Sequence, residues 1–553
     1  MNLRVVAFSL VLVTIAYANA VPYPFVQSDD FLIIASNPGV RSITPLKFLT
    51  QPYWAGYKFG GIYRPLSILS FSIDYAIWHR WAMGFRLTNL MLHALNGYLV
   101  FLLASMLIGS TGAWAAAAVY LLHPVHTEAI VGIVGRSELL AAAFFFGAWL
   151  MFRRNRIAWA TVFFFLSLLS KENAIVFPAI VALDIVLLGG GLKRLLAVWR
   201  RFVPLGIAAC AYLALRLSVL GELGIPATFQ YMHGALSVVE RWMTSGRAFL
   251  QYFRLILAPV DVAASYEFNS IHIAHLRDWD AWAGLAIVLA CVLSAFLLRK
   301  KHPAATFAIL FFFVALLPVS NWILPISVLV AERLLYTPAF SVAVLAGLAW
   351  NGLPAQRSRY VLGAGVVVTA VLLCISHNWT WQDDFTLFKN MVRVTPDNLS
   401  ARVGYGLVLQ NTGLMTEARE QYDAGLRIDP NSPVLLSSLA GLIIQTNPKH
   451  CEQAQPLLDR AFRSEPNHWQ SLWMMANCYA LKGEAEQADE SYRRAVENWA
   501  VPDANLLVSW GTTLEALGKR DAAVDVYRKA ALLDPDDHVV QRKLDRLVSA
   551  PAH

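Results

Sequence analysis

The chain has 553 residues, 57% of them hydrophobic and 15% charged, where a soluble domain carries about 25% charged residues; a wholly water-soluble fold is excluded. Its formal charge of +8 lies in short basic clusters between apolar runs, with no long basic stripe, so the charge reads as membrane topology and nucleic acid is not an expected partner. The five cysteines form no CxxC pair and no metal-ligand spacing, which points to ordinary buried thiols and leaves a Cys451–Cys478 bridge open for an oxidising compartment.

In chain order, residues 3–21 hold Arg4, an apolar run and then AYANA, a pattern shared by cleaved leaders and first spans; we read it as a retained span. Apolar segments recur near 87–108, 112–130, 137–152, 157–170, 173–190, 202–220, 281–298, 303–321, 333–350 and 360–376, giving about eleven spans. The basic groups Arg153, Arg154 and Arg156, then Lys193, Arg194, Arg200 and Arg201, then Arg299, Lys300 and Lys301, then Arg357 and Arg359 fall in alternate loops. Placing them in the cytoplasm sends the loop 21–86, the hinges 123–136, 171–173, 221–280 and 321–325, and the C-terminal part to the outer face. A crossing at 236–257 would invert the later loops. That segment, with Arg241, Arg247 and Arg254 among aromatics, therefore reads as an interfacial amphipathic helix or a re-entrant piece.

From Asn398 onward the sequence repeats with a period of about 34, the tetratricopeptide period. Small residues mark the helix contacts: Gly406 with Ala418, Ala440 with Ala454, Ala476 with Ala488, and Gly511 with Ala523. Tyr422, Tyr492 and Tyr527 each follow their alanine by four, one helical turn on, and Pro430, Pro466 and Pro535 close the second helices. About four repeats and a capping helix suffice for a solenoid; such an array is expected to bind extended peptide or protein, with bracing of an assembly as the alternative. The organisation expected is all-α: a polytopic bundle over 1–378 with the outer loop 21–86, a connector over 379–397, and the repeats over 398–553.

Ionisable residues gather in the outer-face segments. Asp29 and Asp30 stand just after the first span; they suit deprotonation of a hydroxyl or binding of a divalent cation, and equally a helix cap and a solvated acid. The hinge HPVHTEAIVGIVGRSELL carries His123, His126, Glu128, Arg136 and Glu138. Zinc on His123, His126 and Glu128 would lack a fourth ligand, while structural hydrogen bonding competes with holding a polar substrate. Tyr63 with Arg64, Lys171 with Glu172, and Glu332 with Arg333 and Tyr336 complete the set. Arginine beside apolar surface suits a phosphate at the lipid boundary; snorkelling or internal salt bridges account equally for any one of them. A Gly-rich phosphate loop, a GxSxG elbow and an HExxH motif are absent from the sequence.

The stretches DDFLIIASNPGVR, YRPLSILSFSIDYAIWH, FRLTNLMLHALNGYLV, HPVHTEAIVGIVGRSELLAA, LSLLSKENAIVFPAI, PVSNWILPISVLVAERLLYTPA and NWTWQDDFTLFKNMVRVTPDN, in this order with repeats behind them, resemble the transmembrane and tetratricopeptide-repeat O-mannosyltransferases, a family with the GT-C glycosyltransferase membrane fold. The resemblance implies inverting transfer of a sugar, mannose in that family, from a polyprenyl-phosphate carrier in the membrane lipid to a Ser or Thr hydroxyl of a protein. It implies that Asp29 or Asp30 supplies the catalytic carboxylate, the choice between them open. Arg64, Arg136, Glu138 and Arg333 would shape the lipid-phosphate and sugar pocket, with His126, Glu128, Lys171, Glu172 and Glu332 as neighbouring substrate-binding candidates. The residues point to no definite cofactor and leave a divalent cation open, which the acids would suit. Four repeats are fewer than in the animal members, and the tail lacks a retrieval motif for the endoplasmic reticulum. The expectation is thus a prokaryotic plasma-membrane protein with its repeats outside or in the periplasm, or an endoplasmic-reticulum protein if eukaryotic. A repeat array on the same face as Asp29 and Arg333 would serve acceptor recognition. The readings set against this are a non-catalytic membrane scaffold that recruits envelope proteins through the repeats, and a transporter with Asp184 as an intramembrane charge.

Overall fold

The computed structural model describes residues 2–26, 30, 33–34, 37, 39–41, 43, 46–54, 61–221, 236–266, 269–323, 326, 328–353, 356–447, 451–499 and 503–549, with 356–358 as backbone alone. Among them every regular element is helical. The chain divides into two compact units, one running to Val394 and one from Thr395.

Each apolar segment expected from the sequence carries a helix in the first unit. Among the described residues, Leu3–Ala20, Ala82–Leu122, Ile133–Arg153, Trp199–Leu220, Trp279–Leu298 and Arg359–Trp379 are long and apolar enough to cross a membrane; Ile157–Ser170, Pro303–Val319 and Ala339–Gly352 are shorter apolar helices. The two segments expected at 87–108 and 112–130 run on from each other and break at Gly109 (φ 81, ψ 165), a conformation that a side chain would resist. The second of them stops at Leu122 because His123, preceding Pro124, is held extended. An apolar helix, Pro65–Trp78, stands in the expected outer loop, opened by proline at its first position.

The helix Arg136–Arg153 is the centre of this unit and is buried along almost its whole length. Its Trp149 packs against Phe307, Phe311 and Phe340 at centroid distances of 5.2, 5.9 and 5.2 Å. Small residues let backbones approach closely: a β-carbon on Gly112 would lie 2.8 Å from the Gly347 carbonyl oxygen. Segment 236–257 folds as the helix Val238–Leu257, started by a Ser237–Glu240 capping box. Its buried face is covered by protein: Phe249 stacks on Trp322 at 4.7 Å, Phe253 on Phe312 at 5.9 Å, and Gly246 backs onto Gly284.

Arg153 pairs with Asp184 at 2.7 Å, and Asn351 donates to the Ile108 carbonyl at 2.9 Å. These bonds close one end of the bundle. The connections 123–135, 171–176 and 331–338 meet at the other.

The second unit is a stack of helix pairs, Leu399–Asn411 with Met415–Ile428, Pro433–Thr446 with Cys451–Ser464, Trp469–Lys482 with Ala485–Asn498, and Ala504–Ala516 with Arg520–Leu533, closed by His538–Ser549. Three of the turns within pairs place glycine at positive φ: Gly413, Gly483 and Gly518. The last helix buries Val540 and binds back through Lys543, whose amine donates to Tyr527 Oη at 3.1 Å and Glu515 Oε1 at 3.4 Å. The expectation of ordinary thiols is corrected for one pair: Cys451 and Cys478 form a disulfide, with Cα atoms 5.5 Å apart. The pairing crosses between neighbouring repeats over 27 residues, a relation that sequence spacing does not express.

Candidate functional site

The hinge after Leu122 is folded tightly. Pro124–His126 forms a 3-10 turn, Thr127–Val131 a short helix and Ile133–Gly135 a second 3-10 turn. A β-carbon on Gly135 would fall against the Ala129 carbonyl, so the hinge closes on itself only with glycine there. Asp30 is buried, and its carboxylate accepts the N–H groups of Ile133 at 3.2 Å and Val134 at 3.0 Å. The first loop is thereby fastened to the hinge, and the alternative of a solvated Asp30 is corrected. Ser28, Asp29 and Phe31 lie outside the described residues, as does Pro325.

Arg136, expected to face a lipid phosphate, is fully buried. It pairs with Asp74 at 2.5 Å and donates to Asn89 Oδ1 at 2.8 Å and the Phe85 carbonyl at 2.6 Å, with its guanidinium 4.9 Å from the Phe71 ring centre. Those partners occupy the side chain, which ties Pro65–Trp78 and Ala82–Leu122 to the central helix. Arg86 does the same for the first loop, donating to the backbone carbonyls of Tyr23, Pro24 and Val131. Asp74, Arg86 and Asn89 were missed as site supports. Their signal was an ionisable or amide group inside an otherwise apolar segment.

The remaining expected residues come together as three ion pairs. Arg64 holds Glu172 with two hydrogen bonds, Nε to Oε2 at 3.0 Å and NH2 to Oε1 at 2.6 Å, a bidentate fork. Lys171 pairs with Glu138 where both are buried. Arg333 pairs with Glu128 through its guanidinium, and its own backbone N–H donates to Glu128 Oε2 at 2.7 Å. The pairs lie within electrostatic reach of one another: Glu138 acts on Arg64 and on Glu128, and Arg64 and Arg333 on Lys171. A small cleft beside them is lined by Glu138, Asn173, Leu334 and Thr337 among apolar groups. Burial opposes the charge of Glu172, but the Arg64 guanidinium outweighs it and holds the carboxyl down at about 2. Burial lowers the Lys171 ammonium, with Glu138 opposing.

Glu332 points away from this group. It is buried and accepts the Ala263 N–H at 2.9 Å and the Tyr266 hydroxyl at 2.8 Å; burial, with the charge of Glu128 adding, raises its carboxyl well above the ordinary value. His126 is enclosed by the rings of Tyr336, Tyr120 and His93 at 4.6, 4.9 and 5.6 Å, and neither of its nitrogens finds a partner among the described residues. The zinc set His123, His126 and Glu128 does not form. His123 Nε2 is turned to the Ile256 carbonyl at 3.1 Å and Glu128 to Arg333, and no three His, Cys, Asp or Glu side chains assemble for a metal among the described residues.

Comparison with known proteins agrees with both halves of the molecule. Tetratricopeptide repeat family models match residues 386–433, 450–502 and 504–537. The chain is 25% identical over 96% of its length to the protein O-mannosyl-transferase TMTC3 of Mus musculus and 24% identical over 96% to that of Homo sapiens, covering 64% of each. A Caenorhabditis elegans protein O-mannosyl-transferase is 24% identical over 73% of this chain and 60% of its own. The chain thus spans somewhat under two thirds of the length of these relatives. They are animal proteins, and the expected prokaryotic origin gains no support from them.

Proposed function

We propose that the chain is a membrane glycosyltransferase that moves mannose from a polyprenyl-phosphate carrier to a Ser or Thr hydroxyl of a protein. The observation that carries this reading is the gathering of Arg64, Lys171 and Arg333, with their acids, within electrostatic reach of one another where helix connections meet. Similarity to the O-mannosyl-transferases along nearly the whole chain supports the same reaction class. A base accepts the proton of the acceptor hydroxyl, whose oxygen bonds to the anomeric carbon as the bond to the carrier phosphate breaks; the electron pair leaves on the phosphate. Arg333 and Arg64 stabilise that charge. Asp30 is committed to two backbone N–H groups, so the role of base falls to Asp29. The positive-inside distribution of the basic loops supports a multipass protein whose site and repeats lie on the non-cytoplasmic side, with the repeats receiving the acceptor protein.

The test is sugar transfer from labelled polyprenyl-phosphate mannose by purified full chain. Asp29→Asn is expected to lower turnover at least 100-fold with thermal stability unchanged, and Asp30→Asn to lower stability first, with transfer falling in step with the folded fraction. Undiminished transfer by Asp29→Asn would falsify the assignment of the base.

A further inference from the structure

The four repeats do not hold their helix pairs in one way. In the first, Tyr422 donates its hydroxyl to Gln410 Oε1 at 3.0 Å; in the third, Tyr492 donates to Asn477 Oδ1 at 2.6 Å; in the fourth, Tyr527 donates to Glu515 Oε1 at 2.5 Å. Each bond locks the second helix of a pair to the first from a buried ring. The second repeat has Leu458 at the corresponding place, four residues after Ala454, and a leucine makes no such bond. At this repeat stand Cys451, on the first residue of its second helix, and Cys478, on the first helix of the third repeat. Both are buried, 5.5 Å apart at Cα, in one apolar cluster with Ala440, Ile444, Ala454 and Leu458.

We infer that Cys451–Cys478 is a structural disulfide that staples the second repeat, which lacks the tyrosine lock, to the first helix of the third, and that the repeat array matures in an oxidising compartment. Disulfides persist where thiols are not kept reduced, so the bridge reports on the compartment without reference to loop charge. The step balances by thiol–disulfide exchange: the two thiols lose two electrons and two protons, the Cys451–Cys478 S–S bond forms, and the disulfide of a dithiol oxidase is reduced to two thiols. Burial of the product then shields it from reductants. The free cysteines Cys210, Cys291 and Cys374 all belong to the first unit, so no rival thiol stands within the array.

Full-length protein is denatured directly from native membranes into N-ethylmaleimide, digested with trypsin and read by mass spectrometry before and after reduction. Arg460 and Arg463 lie between the two cysteines, so cleavage there leaves them on separate peptides joined only by the bridge. The expected result is one linked species that separates on reduction, with maleimide on the cysteines of the first unit. Maleimide on Cys451 and Cys478 before reduction overturns the inference. A C451S/C478S variant is expected to be cleaved at least tenfold faster by protease within 395–553, and an unchanged rate overturns the stapling role. Sugar transfer measured on the same preparation keeps the two readings apart: a reduced, active protein sinks the bridge alone, and a bridged, inactive one sinks the transferase alone.

Discussion

Replacing Lys171 by methionine removes the cation from a pair whose side chains are 5% and 6% exposed. The Glu138 carboxyl is then left without its partner beside Glu128. Breaking one side of a buried pair costs about 3–5 kcal/mol because a charge stays behind unpaired. Glu138→Gln leaves the Lys171 ammonium beside Arg64 and Arg333 without its paired acid, so this variant should be the weaker of the two. The double variant leaves no charge and should recover to within about 1.5 kcal/mol of wild type. The assay is denaturant unfolding in detergent micelles, read by protease resistance. Single-variant losses below about 1 kcal/mol that simply add in the double variant would refute the buried pair. Transfer activity adds a second reading: a stable double variant with activity restored makes the pair structural, whereas one that stays inactive gives Lys171 a role with substrate.

Four shorter predictions follow from the same geometry. Arg333→Lys keeps a charge near Glu128 and loses the planar fork, so stability should hold within about 1 kcal/mol while kcat/KM falls at least tenfold; full activity would remove Arg333 from phosphate binding. Glu172 is held at about 2, a depressed carboxyl whose stabilisation is full above about pH 4.5 and lost as pH falls towards 2. Because its side chain is 34% exposed, we expect about 1–2 kcal/mol instead of the ~3 implied by the shift, and Glu172→Gln should flatten acid unfolding over that window. Asp184→Asn should cost about 2–3 kcal/mol by freeing Arg153 and Trp149, which both donate to it, without changing KM for the sugar carrier; a shifted KM would revive a transport or substrate role. Gly284→Ala places a β-carbon against the Gly246 carbonyl and should cost more than about 2 kcal/mol by thermal melting, with wild-type melting telling against that contact.

What the sequence made legible was local. Apolar length located the helices, and the alternation of small residues with tyrosine located the repeats, since both signals arise within one or two helical turns. What it left hidden was long-range pairing. Arg64 and Glu172 stand 108 residues apart, and Arg333 and Glu128 205. Each charge was visible alone, yet nothing in the spacing says which acid meets which base. Pro65–Trp78 was read as part of the outer loop 21–86 because Ser67, Ser70, Ser72 and Asp74 interrupt its apolar run. Asp74, buried in that helix, was therefore not matched to Arg136.

The pairings also divide residues that a flat reading would treat alike. Arg136, Lys171, Arg64 and Arg333 are all cations near one helix end, but their access differs: Arg136 and Lys171 are 0% and 5% exposed, Arg64 14% and Arg333 29%. A guanidinium that already serves a carboxylate, an amide oxygen and a carbonyl has no geometry left for a large anion without unmaking the core around it. Arg136 thus belongs with Asp30, as a fastener of loop and hinge. Arg333 differs in kind, because its backbone N–H and its guanidinium share one acid, Glu128, and the side chain remains partly open. The three acids offset the three cations of the cluster, so the resting site has little net field. A departing phosphate would be met by donors oriented in advance instead of by a standing excess of positive charge, which favours the transition state over retention of the product.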